Sequence, residues 1–126
     1  MIRQGKAYSA TDYIVAGYRR GGLRALFLDL FKSSALSITP TVAVAAFRAG
    51  AIGVDAIDGQ KVDPHLGWSA STWPLNLVGL PAATIPCGLS RDGLPIGLQI
   101  IAPWLQEQRL LTMAAALEDA FGPLAH

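Results

Sequence analysis

Residues Pro74–Gly88 read PLNLVGLPAATIPCG, fifteen residues without a charge. Pro74, Pro81 and Pro86 remove backbone donors and fix φ, and Gly79 and Gly88 loosen the chain between them, so the stretch is neither one helix nor one regular strand. It lies inside a longer uncharged run from Leu66 to Ser90. That run is long enough for a membrane span, but its prolines break the helix a span requires and Asn76 adds an amide with no partner in lipid. The reading is therefore the buried interior of a soluble protein, a helix turning through a tight corner into a strand. Gly79 and Pro81 are expected to make that corner, with backbone crowding leaving no room for a Cβ at Gly79.

Working outward on the C-terminal side, AATIPCGL and PIGLQIIA flank SRDG, whose Asp92-Gly93 pair is a hairpin signal. The spacing predicts antiparallel strands over Ala82–Leu89 and Pro95–Ala102. Neither alternates with polar residues, so both are expected to be buried on two faces, with a layer on each side of the sheet. Beyond them Leu110, Ala114, Leu117 and Phe121 share one helical face, and Gly122-Pro123 is a stop signal.

On the N-terminal side, Ser9 and Asp12 have the spacing of a capping box, and Ala10, Tyr13, Ile14 and Gly17 fall on one face of the helix that follows. Gly21 and Gly22 are expected to interrupt or bend it. Leu23, Leu26, Phe27, Leu30 and Phe31 form the cleanest amphipathic stripe in the chain. Ala35–Pro40, ALSITP, fits a strand buried on both faces, and Gly53–Gly67 reads as an exposed loop or small hairpin. Gly88 and Gly97, on facing strands, imply close backbone approach to another layer.

The chain has 126 residues, enough for one domain and one core. It is 52% hydrophobic and only 15% charged, so apolar surface is expected to need a partner. A net charge of +1 with interspersed signs argues against nucleic acid and against a polybasic membrane patch. A single cysteine excludes an internal disulfide framework, and two distant histidines give no zinc spacing. The start MIRQGKAYSATDY has no apolar h-region, so a cytoplasmic location is expected.

The strands number only three and are patterned for the centre of a larger sheet. Together PLNLVGLPAATIPCGLSRDGLPIGLQIIAPWLQEQRLLTMAAALE resembles the C-terminal end of the amidase signature family, serine hydrolases that cleave carboxylic amides. The shared pattern is P-x-N-x-x-G-x-P-A, then P-C-G, then G-L-P-x-G-x-Q, then E-x-x-L-L and a closing helix ending in Glu. Upstream, YSATDYIVAGYRR is similar to a family helix and ALSITPT to a strand closed by T-P-T. The resemblance implies an α/β fold in which a mixed β-sheet is sandwiched by helices, incomplete in this chain. It makes residues 1–126 the C-terminal segment of a single amidase domain.

The resemblance also implies a nucleophilic serine, a second serine and a lysine, with backbone donors for the oxyanion, all in an N-terminal half absent here. No catalytic residue is therefore expected in this chain, which alone is expected to be inactive. In the complete enzyme the resemblance implies a small-molecule amide substrate and no metal or organic cofactor. Trp68, Ser69, Trp73 and Asn76 are the candidate substrate-binding residues, because the segment entering the P-x-N corner faces the family's cleft. The glutamine-using amidotransferase branch carries an acidic residue seven positions before the motif asparagine. Ser69 stands there, which favours a simple amidase with a less polar amide. An A-subunit segment of a glutamine-dependent tRNA amidotransferase is the alternative, and a non-catalytic binding or assembly module is a third.

Other chemistry-bearing residues read as structural. Lys32-Ser33-Ser34 are neighbours that cannot converge on one point and fit a polar helix terminus. Cys87 lies in an apolar strand with no base near it in sequence and fits a buried structural thiol. His65 fits an exposed loop, and His126 is terminal. A homo-oligomer is expected, through strand-edge pairing or exchange of the helices around Leu23–Phe31 and Leu110–Phe121.

Overall fold

The computed structural model describes residues 5–123, so the expectation for His126 lies outside the described residues. The elements are α1 (Ala10–Ser33), β1 (Ser37–Pro40), β2 (Ala56–Ile57), β3 (Gln60–Lys61), a 3-10 turn (Gly67–Ser69), α2 (Trp73–Val78), β4 (Ala82–Leu89), β5 (Pro95–Ile101) and α3 (Glu107–Phe121).

Helix α1 begins where the capping box predicts. The Asp12 amide donates to Ser9 Oγ at 3.1 Å, and the Ser9 amide donates to Asp12 Oδ2 at 2.8 Å. The Ser9 hydroxyl, and after it the Ser9 amide, holds the Asp12 carboxyl below the ordinary aspartate value. Gly21 and Gly22 do not interrupt the helix. Each glycine costs about 1 kcal/mol relative to alanine. The helix survives because Leu23, Phe27 and Phe31, one turn apart, pack against Leu75, Val78, Leu80 and Ile101. The rest of the expected stripe is not used: Leu26 is 69% exposed and Leu30 is also exposed.

Strands β1, β5 and β4 form one antiparallel sheet in that order. The β4–β5 hairpin closes as expected, with the Leu94 amide donating to Ser90 Oγ at 3.1 Å and the Gly93 amide to the Ser90 carbonyl at 3.0 Å. Only β5 is central. Gln99, Ile100, Ile101 and Ala102 are all buried. The expectation that β1 and β4 are buried on both faces is not met: both are edge strands, and Ile38 is 53% exposed. Lack of charge in a strand reports its surroundings in the fold; it does not count hydrogen-bonded neighbours. The loop after Gly53 contains the small hairpin β2–β3, turned at Asp58-Gly59.

Helices cover both faces of the sheet. On one side Leu110 and Ala114 of α3 pack on Ile85, Ile100 and Ala102, with Leu117 beside them. On the other, α1 and α2 meet Ile101. The fold is thus an α/β layering around β5. Trp104 closes the second layer by donating its indole N–H to the Val78 carbonyl at 3.0 Å, while the Arg24 guanidinium stacks 4.1 Å from its ring centre. No helix of the described residues is long and apolar enough to cross a membrane.

The corner between α2 and β4 is built as expected but for a different reason. Gly79 has φ +71°, and its amide and that of Leu80 both donate to the Leu75 carbonyl, at 2.8 and 3.1 Å. A Cβ there would touch nothing within 4 Å, so left-handed backbone, not crowding, calls for glycine. Crowding applies at Gly97 instead, where a Cβ would lie 2.7 Å from Thr41 Oγ1 and 2.9 Å from Thr84 Cγ2. Gly88 has open space and follows a register shift at Pro86.

Candidate functional site

The tract that leads into the corner is a chain of turns. Asp63 Oδ1 accepts from the amides of His65 and Leu66 at 2.8 and 3.0 Å, and the Gly67 amide donates to the Asp63 carbonyl at 2.8 Å. Ser69 then receives from Thr72, whose hydroxyl and amide both reach its carbonyl, at 2.8 and 3.0 Å. These local bonds set Trp68 and Ser69, on the 3-10 turn, just ahead of Trp73, the first residue of α2.

Trp68 is fixed from several sides. Its ring meets Phe47 edge-on at 5.3 Å, its carbonyl accepts from Ala43, and Gly53 lies so close that a Cβ there would sit 2.7 Å from Cδ1. Its indole Nε1 is buried without a hydrogen-bond partner among the described residues. Ser69 is only 8% exposed. Its Oγ donates to the Leu66 carbonyl at 3.2 Å and accepts the Trp73 indole N–H at 2.8 Å. That hydroxyl proton is already directed at a carbonyl, and no base adjoins it, so Ser69 orients Trp73 and is not arranged as a nucleophile. The Trp73 ring, pinned at its nitrogen, remains 49% exposed.

Asn76 is not brought to this cluster. It is exposed on α2 and borders the cleft between α1 and α2, with Arg20, Arg24 and Gly79. Of the four candidates, Ser69 and Trp73 are joined by a hydrogen bond, Trp68 precedes Ser69 with its indole nitrogen buried, and Asn76 borders a different cleft.

Sequence reasoning missed the polar group beneath this tract. Thr39, Gln99 and Thr84 form one row across the three strands, on the face that carries α2. Gln99 is 3% exposed, and its Nε2 donates to Thr39 Oγ1 at 2.9 Å and to the Ser71 carbonyl at 3.1 Å. Ser71 Oγ donates to the Thr41 carbonyl at 2.7 Å, and the Thr41 and Thr84 hydroxyls are 3.3 Å apart. The turn bearing the tryptophans is thus tied to the sheet by side-chain bonds. The available signal was one polar residue in the middle of GLQII: a buried amide needs partners, and it finds them on the next element.

The remaining candidates stand apart from the cluster. Lys32 pairs with Asp29 at 3.0 Å on an exposed helix end, and Ser33 Oγ reaches back to the Leu30 carbonyl. Cys87 is partly exposed on β4, less buried than expected, with Sγ 3.5 Å from the Ile96 carbonyl. His65 is exposed, its Nδ1 3.9 Å from Asp63 Oδ1.

Comparison with known proteins agrees with this architecture. The family profile described as Amidase matches residues 1–111. The A subunit of glutamyl-tRNA(Gln) amidotransferase from Synechococcus sp. (strain RCC307) is 38% identical over 122 residues, 93% of this chain and 24% of that protein. Fatty acid amide hydrolase from Medicago truncatula is 37% identical over 120 residues, 93% of this chain and 19% of that protein. A bacterial aryl acylamidase of the amidase signature enzymes superposes with a TM-score of 0.83 at 29% identity, over 89% of this chain and 23% of that one. The chain thus spans about a quarter or less of the lengths of these relatives, and its nearly equal identity to a hydrolase and an amidotransferase subunit does not separate the two branches. Its motifs, its helix-covered sheet and its match over residues 1–111 place it in the amidase signature family.

Proposed function

We propose that this chain is the C-terminal segment of a serine-type amidase and supplies one wall of its substrate cleft, while the bond-breaking groups lie in polypeptide outside these 126 residues. The observation that carries this reading is Trp73: half exposed, pinned by Ser69 Oγ at 2.8 Å, and standing at the start of α2 directly after a turn that Ser71 and Gln99 anchor to the sheet. An apolar ring held by buried polar groups is what a cleft wall needs to orient a small amide. The chemistry is that of the family: a serine oxygen attacks the amide carbonyl carbon, its proton passes through a second serine and a lysine to the departing amine, and water then releases the acyl group. Among the described residues no serine hydroxyl hydrogen-bonds a lysine, and Lys32 is held by Asp29. The substrate is a small-molecule carboxylic amide, the setting is the cytoplasm, and no metal or organic cofactor takes part.

In the longer enzyme, Trp73→Ala should raise KM for apolar amides several-fold with a smaller change in kcat, and Ser69→Ala should act in the same direction more weakly. An unchanged KM for both variants would remove the wall assignment. A second reading, an A-subunit segment of a tRNA-dependent amidotransferase, is compatible with the 38% identity to such a subunit. Ser69 in place of an acidic residue weighs against it. Glutaminase activity appearing only with partner subunits would decide for the second reading.

A further inference from the structure

The polar tether under the turn before α2 carries an inference about how the proposed wall is set. Gln99 lies in the middle of the sheet, with Thr39 opposite it on one side and Thr84 on the other. A carboxamide is costly to bury unless it is bonded, and both bonds of its Nε2 lead out of β5. One goes to Thr39 Oγ1 at 2.9 Å and the other to the Ser71 carbonyl at 3.1 Å.

Ser71 is the residue from which the turn hangs. Gln99 holds its carbonyl, and its own hydroxyl donates to the Thr41 carbonyl at 2.7 Å. Thr41 is itself fixed, its amide donating to the Gly97 carbonyl of β5 at 3.0 Å. Ser71 is therefore held to the sheet at both of these polar groups. Thr72, next in the chain, gives its amide and hydroxyl to the Ser69 carbonyl at 3.0 and 2.8 Å, and its carbonyl accepts the Leu75 and Asn76 amides of α2 at 3.2 and 3.3 Å. Ser69 Oγ in turn accepts the Trp73 indole N–H at 2.8 Å. An unbroken run of covalent and hydrogen bonds thus leads from the Gln99 amide to the Trp73 ring. Every bond in it lies within the described residues, so it stands whatever polypeptide covers the surface.

We propose that Gln99 and Ser71 are positioning residues for the substrate: they act through Thr72 and Ser69 to hold the Trp73 ring in one orientation, and so set the affinity for an apolar amide without touching it. This rests on the reading of Trp73 as part of the cleft wall. A ring already fixed when the amide arrives loses little freedom on binding, whereas a released ring must be ordered each time, and that cost falls on KM. The bond-breaking groups lie elsewhere in that reading, so kcat changes less.

The experiment is a double-mutant cycle in the longer enzyme, with a short-chain acyl p-nitroanilide as substrate and the indole N–H resonances as local reporters. Gln99→Met keeps the unbranched shape and removes both bonds. It is expected to raise KM several-fold with a smaller change in kcat, and to speed exchange of the Trp73 indole N–H. The Trp104 indole N–H, bonded to the Val78 carbonyl at 3.0 Å, should stay slow. In a Trp73→Ala background the same substitution should leave KM unchanged, because no ring remains to be positioned. If Gln99→Met also releases Trp104, the fold has loosened as a whole, and Ser71→Ala, which removes the bond to Thr41, takes its place in the cycle with the same expectations. An equal effect on KM with and without the Trp73 ring would overturn the proposal, since Gln99 would then act on the fold at large. So would an undisturbed Trp73 indole, or a fall in kcat alone. If Trp73→Ala leaves KM unaltered, the wall reading fails and takes the proposal with it. If Trp73→Ala raises KM and Gln99→Met does not, the proposal alone fails and the wall reading stands.

Discussion

At Gly79 the backbone adopts φ +71°, a conformation that costs an L-residue about 1–2 kcal/mol and a β-branched one more. Gly79→Val should therefore destabilise the chain by roughly 1–3 kcal/mol, read as a lower denaturation midpoint. An unchanged midpoint would mean that the corner does not require left-handed backbone. Gln99 is the second decisive residue. Gln99→Leu keeps its bulk but leaves the Thr39 hydroxyl and the Ser71 carbonyl without their donor, at a cost of about 1–3 kcal/mol, and should loosen the tryptophan turn as seen in Trp fluorescence. Asp12 gives a pH dependence of definite sign. Its folded pKa is lowered, so its cap contribution is complete above the unfolded value and is lost as pH falls through the folded one. Exchange at the start of α1 should accelerate below the ordinary aspartate range; a cap indifferent to acid would contradict this. At this scale the cap signal was legible because it acts locally; of the glycines, the corner at Gly79 was located but not its cause, and Gly21 and Gly22 sit in an unbroken helix because packing of Leu23, Phe27 and Phe31 outweighs their local preference. The role of Gln99 was not legible, because its partners Thr39 and Ser71 are distant in sequence.

Among the elements of the described residues, β5 carries the fold, being the only strand there with a neighbour on each side. Ile100→Ala removes the most deeply buried large side chain and should cost about 2–5 kcal/mol by chemical denaturation. Gly97→Ala places a methyl group against Thr41 and Thr84 and should destabilise the same strand; pairing it with Thr41→Ala should recover part of the loss, since Thr41 Oγ1 is the nearest obstacle. Full independence of the two substitutions would show that the contact is relieved some other way. The hairpin was legible almost to the residue, Pro95–Ala102 expected and Pro95–Ile101 found, because Asp92-Gly93 fixes its turn. The edge positions of β1 and β4 were not, since a strand's neighbours depend on the assembled sheet and not on its own side chains.

For the whole molecule, the consequence of a sequence only 15% charged is visible at the surface. Tyr13, Ile14, Tyr18 and Leu26 are exposed along α1, and that helix buries no residue completely. Such a surface fits a chain that completes a larger body, and it agrees with relatives about four or more times as long. Of the residues proposed for the wall, Ser69 and Trp73 are hydrogen-bonded four residues apart, a spacing readable in the sequence, whereas Asn76 borders another cleft because its place on α2 depends on how that helix packs. The central claim is that this chain shapes an amidase cleft but holds none of its bond-breaking groups. Its most direct measurement is intact mass of the isolated, folded chain after exposure to a serine-directed fluorophosphonate. The expected result is the unmodified 13.3 kDa mass, and a stoichiometric adduct on any serine would contradict it.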